Sequence, residues 1–173
     1  MLKRLFYRIL RWLVPVCFNI LNGLLAGNLP PLGSSSVIVE DQGRFLLVRL
    51  PRGGLVLPGG FMRWHERPDE TAQRECKEET GLDVQMLDTI GIYSSTSNGL
   101  DRMSTLSVVF VGEVTGGTLR SSIEGRPCWL DEADVRKRLD KHYVNMLEDY
   151  FAYRQRHQAL ASLDTAAPDL INE

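Results

Sequence analysis

The chain has 173 residues, which suits a single folded core better than two. A content of 43% hydrophobic, 24% charged and 8% aromatic residues is that of an ordinary globular protein, and it excludes disordered, collagen-like and multi-span membrane classes. Twenty basic residues against 22 acidic ones give a net charge of −2, so there is no basic field of the kind that grips duplex nucleic acid.

Residues 1–29 differ from everything that follows. Arg4, Arg8 and Arg11 recur at helical spacing, with Leu2, Phe6, Ile9, Leu13, Val16 and Ile20 on the other side, which predicts an amphipathic helix with a cationic face. Lys3 belongs to the same basic start, and no acid occurs before Glu40. Setting these four cations aside leaves 16 basic against 22 acidic residues, a net −6 for the rest. No charge occurs from Trp12 to Val39, yet Pro15, Asn19, Asn22, Gly23 and Gly27 interrupt the apolar run before Pro30-Pro31 closes it. A membrane-spanning helix wants about twenty predominantly apolar residues, which this segment only approaches.

Beyond Gly33 the period changes. Ser36–Glu40 and Arg44–Leu50 read as strands joined by a tight turn at Asp41-Gln42-Gly43, and Leu55–Leu57 as a short strand ended by Pro58-Gly59-Gly60. A helix should follow, with Pro68 in its first turn, Asp69 and Glu70 at the positive end of its dipole and Gly81 as its left-handed stop. Val84–Tyr93, Thr105–Val114 and Pro127–Leu130 read as strands, with a turn at Gly116-Gly117. Helices are expected over Asp131–Leu139 and about His142–Arg156, and then a frayed tail. Strands in runs with one embedded helix, then helices at the end, indicate an α+β sandwich. The expected organisation is a helix and linker over 1–33, a catalytic domain over 34–157 and a flexible tail over 158–173. Cys17, Cys76 and Cys128 are odd in number and far apart, which favours a reducing compartment over a disulfide framework or a thiolate zinc site.

The informative stretch runs from Gly60 to Leu82. On a helix, Glu75, Glu78 and Glu79 stand at i, i+3 and i+4, so three carboxylates share one face near the negative end of the dipole. Like-charge pairs cost about 0.2–0.5 kcal/mol each, and dipole terms about 0.3–1 kcal/mol per acid. A hard divalent cation reverses every one of these terms, because Mg²⁺ prefers oxygen ligands and takes some of them from phosphate. A solvated acidic surface helix is the plain alternative for the glutamates alone. Ala72 and Cys76, at i and i+4 on the other side, offer an apolar stripe for docking on a sheet.

The whole pattern is more specific. Gly60, five residues, Glu66, seven residues, Arg74-Glu75, Cys76, Lys77, Glu78-Glu79, Thr80, Gly81 and Leu82 resembles the Nudix box at each of its defined positions. Leu57-Pro58-Gly59-Gly60 is similar to the family's lead-in and Trp129-Leu130 to its late strand. The resemblance implies the Nudix fold, a mixed β-sheet sandwiched between helices (α/β/α), with the N-terminal amphipathic helix as an addition. It also implies hydrolysis of a nucleoside diphosphate linked to another moiety, with Mg²⁺ or Mn²⁺. Glu75, Glu78, Glu79 and the Gly60 carbonyl are then the implied metal ligands, and Arg74 pairs with Glu66 to hold the helix and loops. The base is Glu124 or a box glutamate.

Substrate-facing candidates lie outside the box: Arg63 and Trp64 in the loop before Glu66, Arg49 and Arg52 about a strand end, Tyr93, and Arg102 in the loop that includes Asn98. Where ADP-ribose pyrophosphatases of the family often carry a proline, this chain has Thr96-Ser97-Asn98. The leaving group stays open. Three readings fit residues 1–29: an interfacial helix on a membrane, a helix docked on its own domain or across a homodimer, and a signal or anchor. A cytoplasmic enzyme at the inner face of a membrane is expected. A catalytically weak Nudix-fold nucleotide sensor or tethered module is the alternative.

Overall fold

The computed structural model describes residues 2–51, 53–97 and 99–166, with side chains described over 13–51, 53–97 and 99–160. Arg52 and Asn98, the side chains of Lys3, Arg4, Arg8 and Arg11, and the tail after Ala166 lie outside the described residues. The elements are helix α1 (Leu2–Leu24), strands β1 (Leu32–Asp41), β2 (Arg44–Arg49), β3 (Leu55–Val56) and β4 (Gly59–Phe61), helix α2 (Pro68–Thr80), strands β5 (Leu82–Ser95), β6 (Thr105–Gly117) and β7 (Arg126–Asp131), and helices α3 (Glu132–Arg138) and α4 (Val144–Ala166). A single 3₁₀ turn, Lys141–Tyr143, leads into α4.

The strands form a mixed sheet in the order β3-β2-β1-β6-β5, with β4 added to β1 and β7 to β2. The β1–β6 pair is parallel and the other pairs are antiparallel. Gln42 and Gly43 turn the β1–β2 hairpin with φ of 50° and 73°, the two positive values a tight hairpin needs. Beyond Glu40 and Asp41, β1 leaves β2 and pairs instead with β4, so the sheet divides into two leaves at its centre.

Side-chain alternation assigns the two faces. Ile38, Phe45, Leu47, Val109 and Val111 pack with Val135 of α3 and with Met146, Leu147, Tyr150 and Phe151 of α4. Val37, Val39, Leu46, Leu82 and Val84 pack with Ala72 and Cys76 of α2. The sheet is therefore sandwiched between helices, an α+β architecture. Across the α4 side, Arg154 donates to both Glu40 oxygens at 2.9 and 3.0 Å and to Glu132 at 2.8 Å, and the Tyr150 hydroxyl donates to Glu40 at 2.6 Å.

Four stretches depart from the local expectation. Strand β1 begins at Leu32, well before Ser36, because its serines find sheet partners: Ser34–Ser36 pair with Gly59–Phe61 and with β6, and Ser35 Oγ donates to the Val108 carbonyl at 3.1 Å. Gly59-Gly60, expected only to end a strand, forms β4 itself. A Cβ on Gly59 would fall 2.5 Å from the Ser35 carbonyl oxygen, so only glycine allows that approach. Helix α4 continues to Ala166, through part of the segment expected to be a frayed tail, and Gly116-Gly117, expected as a turn, ends β6.

Candidate active site

Helix α2 is placed by local chemistry at both ends. Pro68 opens it, the Glu70 carboxylate accepts the Arg67 N–H at 2.9 Å, and Gly81 closes it at φ 82°, with its N–H donating to the Lys77 carbonyl at 3.0 Å. Ala72 and Cys76 are fully buried on the sheet, and burial pushes the Cys76 thiol up to about 11. With that face anchored, the acidic face turns toward β4.

The three glutamates do not stand level, as helical spacing alone implied. Glu79 is 5% exposed and accepts the Gly59 N–H at 3.0 Å. Glu75 is half-buried against β4, and a Cβ on Gly60 would lie 2.5 Å from its carboxylate. Glu78 is exposed and accepts from Arg63 at 3.0 Å and from Arg74 at 3.4 Å. The physical reason is the split sheet: β4 lies against the last turn of α2 and takes Glu79 inward, while Glu78, one residue earlier, turns to water.

Arg74 organises the group. Its guanidinium forks onto Glu66 at 2.5 and 2.8 Å, reaches Glu75 at 2.6 Å and donates to the Phe61 carbonyl at 3.1 Å. Glu66 also accepts the Arg63 N–H at 3.0 Å and the Thr71 hydroxyl at 2.9 Å. The Arg74 hydrogen bonds, above all, hold the Glu66 carboxyl down at about 2.

Glu124 arrives from a distant part of the chain. Ser122 Oγ accepts the Glu124 and Gly125 amides at 3.1 and 3.2 Å, and the turn packs Gly125 against the Arg49 backbone. Its carboxyl lies within hydrogen-bonding reach of Glu79. Burial first, then the Glu124 and Glu75 charges, push the Glu79 carboxyl up to about 8. Burial likewise raises Glu75, against the opposing pull of Arg74. Two carboxyls held partly against ionisation, beside a third, form a site of unspent negative potential.

Beside β4 opens a cleft of about 170 Å³, lined by Ser34, Ser36, Thr105 and Ser107, by Gly59–Phe61, and by His142, Tyr143 and Met146. Burial, then Glu79 and Asp140, raise the Tyr143 hydroxyl to about 12. Sequence reasoning singled out none of these lining side chains. The serine run before Val37 was the available signal, and it reads as an ordinary polar loop until β4 and β6 flank it.

The other expected contacts are scattered. Arg63 spans Glu78 and Glu66. Trp64 is 92% exposed, edge-on to His65. Tyr93 donates to Asp149 of α4 at 2.7 Å, so its hydroxyl braces that helix. Arg49 is exposed at the end of β2. Arg102 is exposed, and its carbonyl accepts from Asn19 of α1 at 2.6 Å.

The donor set suits a hard cation, since the groups that converge are carboxylate and carbonyl oxygens with no thiolate or imidazole among them. Among the described residues, no three His, Cys, Asp or Glu side chains form a ready-made cage. Arg74 holds Glu75, and Arg63 holds Glu78. Mg²⁺ characteristically keeps waters and uses one or two carboxylates plus substrate phosphate, so an incomplete protein cage fits it.

The fold thus presses a helix of glutamates on a glycine strand within a sheet held between helices. The NUDIX domain family model matches residues 30–150. A MutT-like protein of Streptomyces ambofaciens is 34% identical over 125 residues, covering 69% of this chain and 78% of that protein. An ADP-ribose pyrophosphatase of Methanocaldococcus jannaschii is 29% identical over 121 residues, covering 68% and 71%. The solved NUDIX hydrolase of Nitrosomonas europaea aligns with a TM-score of 0.62 at 26% identity, over 71% of this chain and 90% of that one. The chain belongs to the NUDIX family and is a hydrolase. Members of the family generally use divalent metals such as Mg²⁺ and act on small nucleotide derivatives.

Proposed function

We propose that this protein hydrolyses the pyrophosphate bond of a nucleoside diphosphate linked to another moiety, in a reaction dependent on Mg²⁺ or Mn²⁺. The observation that carries the reading is that Glu75 and Glu79 stand against Gly60 and Gly59 at the edge of the cleft, with Glu124 beside Glu79. The name of the archaeal relative, an ADP-ribose pyrophosphatase, supports a diphosphate substrate.

Glu75, Glu78, Glu79 and the Gly60 carbonyl would hold the cation, which when bound offsets charge on the phosphate oxygens. Arg74 and Glu66 fix where Glu75 stands. Glu124 would take a proton from the attacking water, since a base must lie within hydrogen-bonding reach of the proton it removes. Arg63, exposed and bonded to Glu78, suits a second phosphate. The cleft, lined by five hydroxyls and, among the described residues, by no carboxylate, lysine or arginine, suits the uncharged part of the substrate. The protein would work in the cytoplasm, where such nucleotides occur, with residues 1–29 in peripheral contact with the inner face of a membrane.

The test is product release from a panel of sugar nucleotides, dinucleotides, ADP-ribose and nucleoside triphosphates with Mg²⁺. The wild type should turn over at least one, and Glu124→Gln should lower kcat by about 10²-fold or more, the usual worth of a general base. Glu78→Gln should be impaired comparably and should need more Mg²⁺. Equal turnover by wild type and Glu78→Gln refutes the metal role. Tight nucleotide binding with no turnover refutes the reaction and makes the protein a sensor.

A further inference from the structure

Helix α1 reaches the domain through Asn19, while much of its apolar surface stays exposed. Its inward positions are Pro15, which is buried, and Asn19 and Asn22, which are half-buried, at i, i+4 and i+7. Asn19 Nδ2 donates to the carbonyls of Leu100 and Arg102 at 3.0 and 2.6 Å, and Asn22 Oδ1 accepts the Leu29 N–H at 3.0 Å. Val16 and Phe18 are half-buried as well, and the other apolar residues described between Leu13 and Leu25 point outward. Leu13, Ile20 and Leu24 fall on one line of the helix with exposed Cys17, and Val14 and Leu21 run beside them toward Leu25. All six of these large side chains are between 44% and 79% exposed. A helix that covers its asparagines and shows its leucines keeps that apolar face for another surface.

Charge selects the surface. No charged residue interrupts the chain from Trp12 to Val39, and Lys3, Arg4, Arg8 and Arg11 precede that stretch with no acid before Glu40. Two copies joined through this apolar face would bring two cationic segments together with no acid on either helix to offset them, whereas a bilayer with anionic headgroups offers both the apolar layer and the opposite charge. Among the described residues, no helix is long and apolar enough to cross a membrane, so the helix would lie along the surface.

We infer that α1 is an interfacial helix that seats the protein on an anionic lipid surface through its Leu13–Leu25 stripe, with Asn19 clamping the helix to the loop between β5 and β6. This sharpens the peripheral contact proposed above by naming the lipid charge, the inserted face and the clamp, and its test does not depend on hydrolysis.

The experiment is flotation of the full chain with vesicles of phosphatidylcholine alone or containing about 30% phosphatidylglycerol. The protein should float with the anionic vesicles, and the bound-to-free ratio should fall about tenfold or more on neutral vesicles or in high salt. Ile20→Asp/Leu24→Asp, at exposed positions, should lower partitioning about tenfold or more with unchanged thermal unfolding, because carboxylates on the apolar face oppose both forces. Asn19→Ala should retain flotation and raise hydrogen exchange in residues 99–104. Failure to float on anionic vesicles, or equal flotation of the double variant, overturns the lipid surface. So does a wild-type dimer that the double variant dissociates without any vesicle binding, which would make the stripe a self-association face. Unchanged exchange in Asn19→Ala overturns the clamp.

Discussion

Arg74→Lys is the sharpest test of how this site is held, because it keeps the charge and removes only the fork. The guanidinium spans both Glu66 oxygens, Glu75 and the Phe61 carbonyl at 2.5–3.1 Å. A lysine ammonium is a compact point charge on a flexible stem, and it cannot reach all of these at once. The Glu66 and Glu75 side chains are 17% and 14% exposed, so water replaces few of the lost contacts. Each carboxylate would lose at least one charge-assisted hydrogen bond, worth about 1.5–3 kcal/mol. With one bond recovered by the new ammonium, the net loss should be about 1.5–3 kcal/mol, a large part of a typical domain stability of about 5–15 kcal/mol. Urea unfolding should show a lower midpoint with an unchanged slope, the sign of lost stability without a change in compactness. Turnover should fall in the same variant because Glu75 loses its position. A stability within about 0.5 kcal/mol of wild type, the range of an ordinary surface change, would refute the reasoning.

Two further outcomes follow from the same geometry. The folded pKa of Glu66 is about 2 against an ordinary 4.5, so its ion pair contributes stability in full above about pH 4.5 and loses it as pH falls toward 2; the stability gap between wild type and Glu66→Gln should shrink over that window in pH-dependent urea unfolding, and a constant gap would count against it. Gly60→Ala would place a Cβ 2.5 Å from a Glu75 carboxylate that Arg74 pins at 2.6 Å; hydrolysis should fall by about 10–10²-fold, the cost of misplacing a catalytic group by about an ångström, and full activity would show that Glu75 need not stand there.

What the sequence determined by itself is local. The hairpin at Gln42-Gly43, the bounds of α2 from Pro68 to Gly81, and the spacing of Glu66, Arg74, Glu75, Glu78 and Glu79 depend on turn chemistry and helical period within a few residues, so they can be read in one dimension. The class of protein followed from that spacing. The tertiary structure decided everything that depends on neighbours distant in the chain: that Gly59–Phe61 is a strand because Ser34–Ser36 receives it, that Glu79 is buried and Glu78 is not, that Glu124 comes beside Glu79, and that His142 and Tyr143 border the cleft. It also decided which residue of α1 meets the domain, Asn19, since periodicity gives two faces but not which one has a neighbour. Spacing repeats along a helix regardless of what lies opposite, whereas burial, and with it the proton affinity of each carboxylate, is set by what packs across from it.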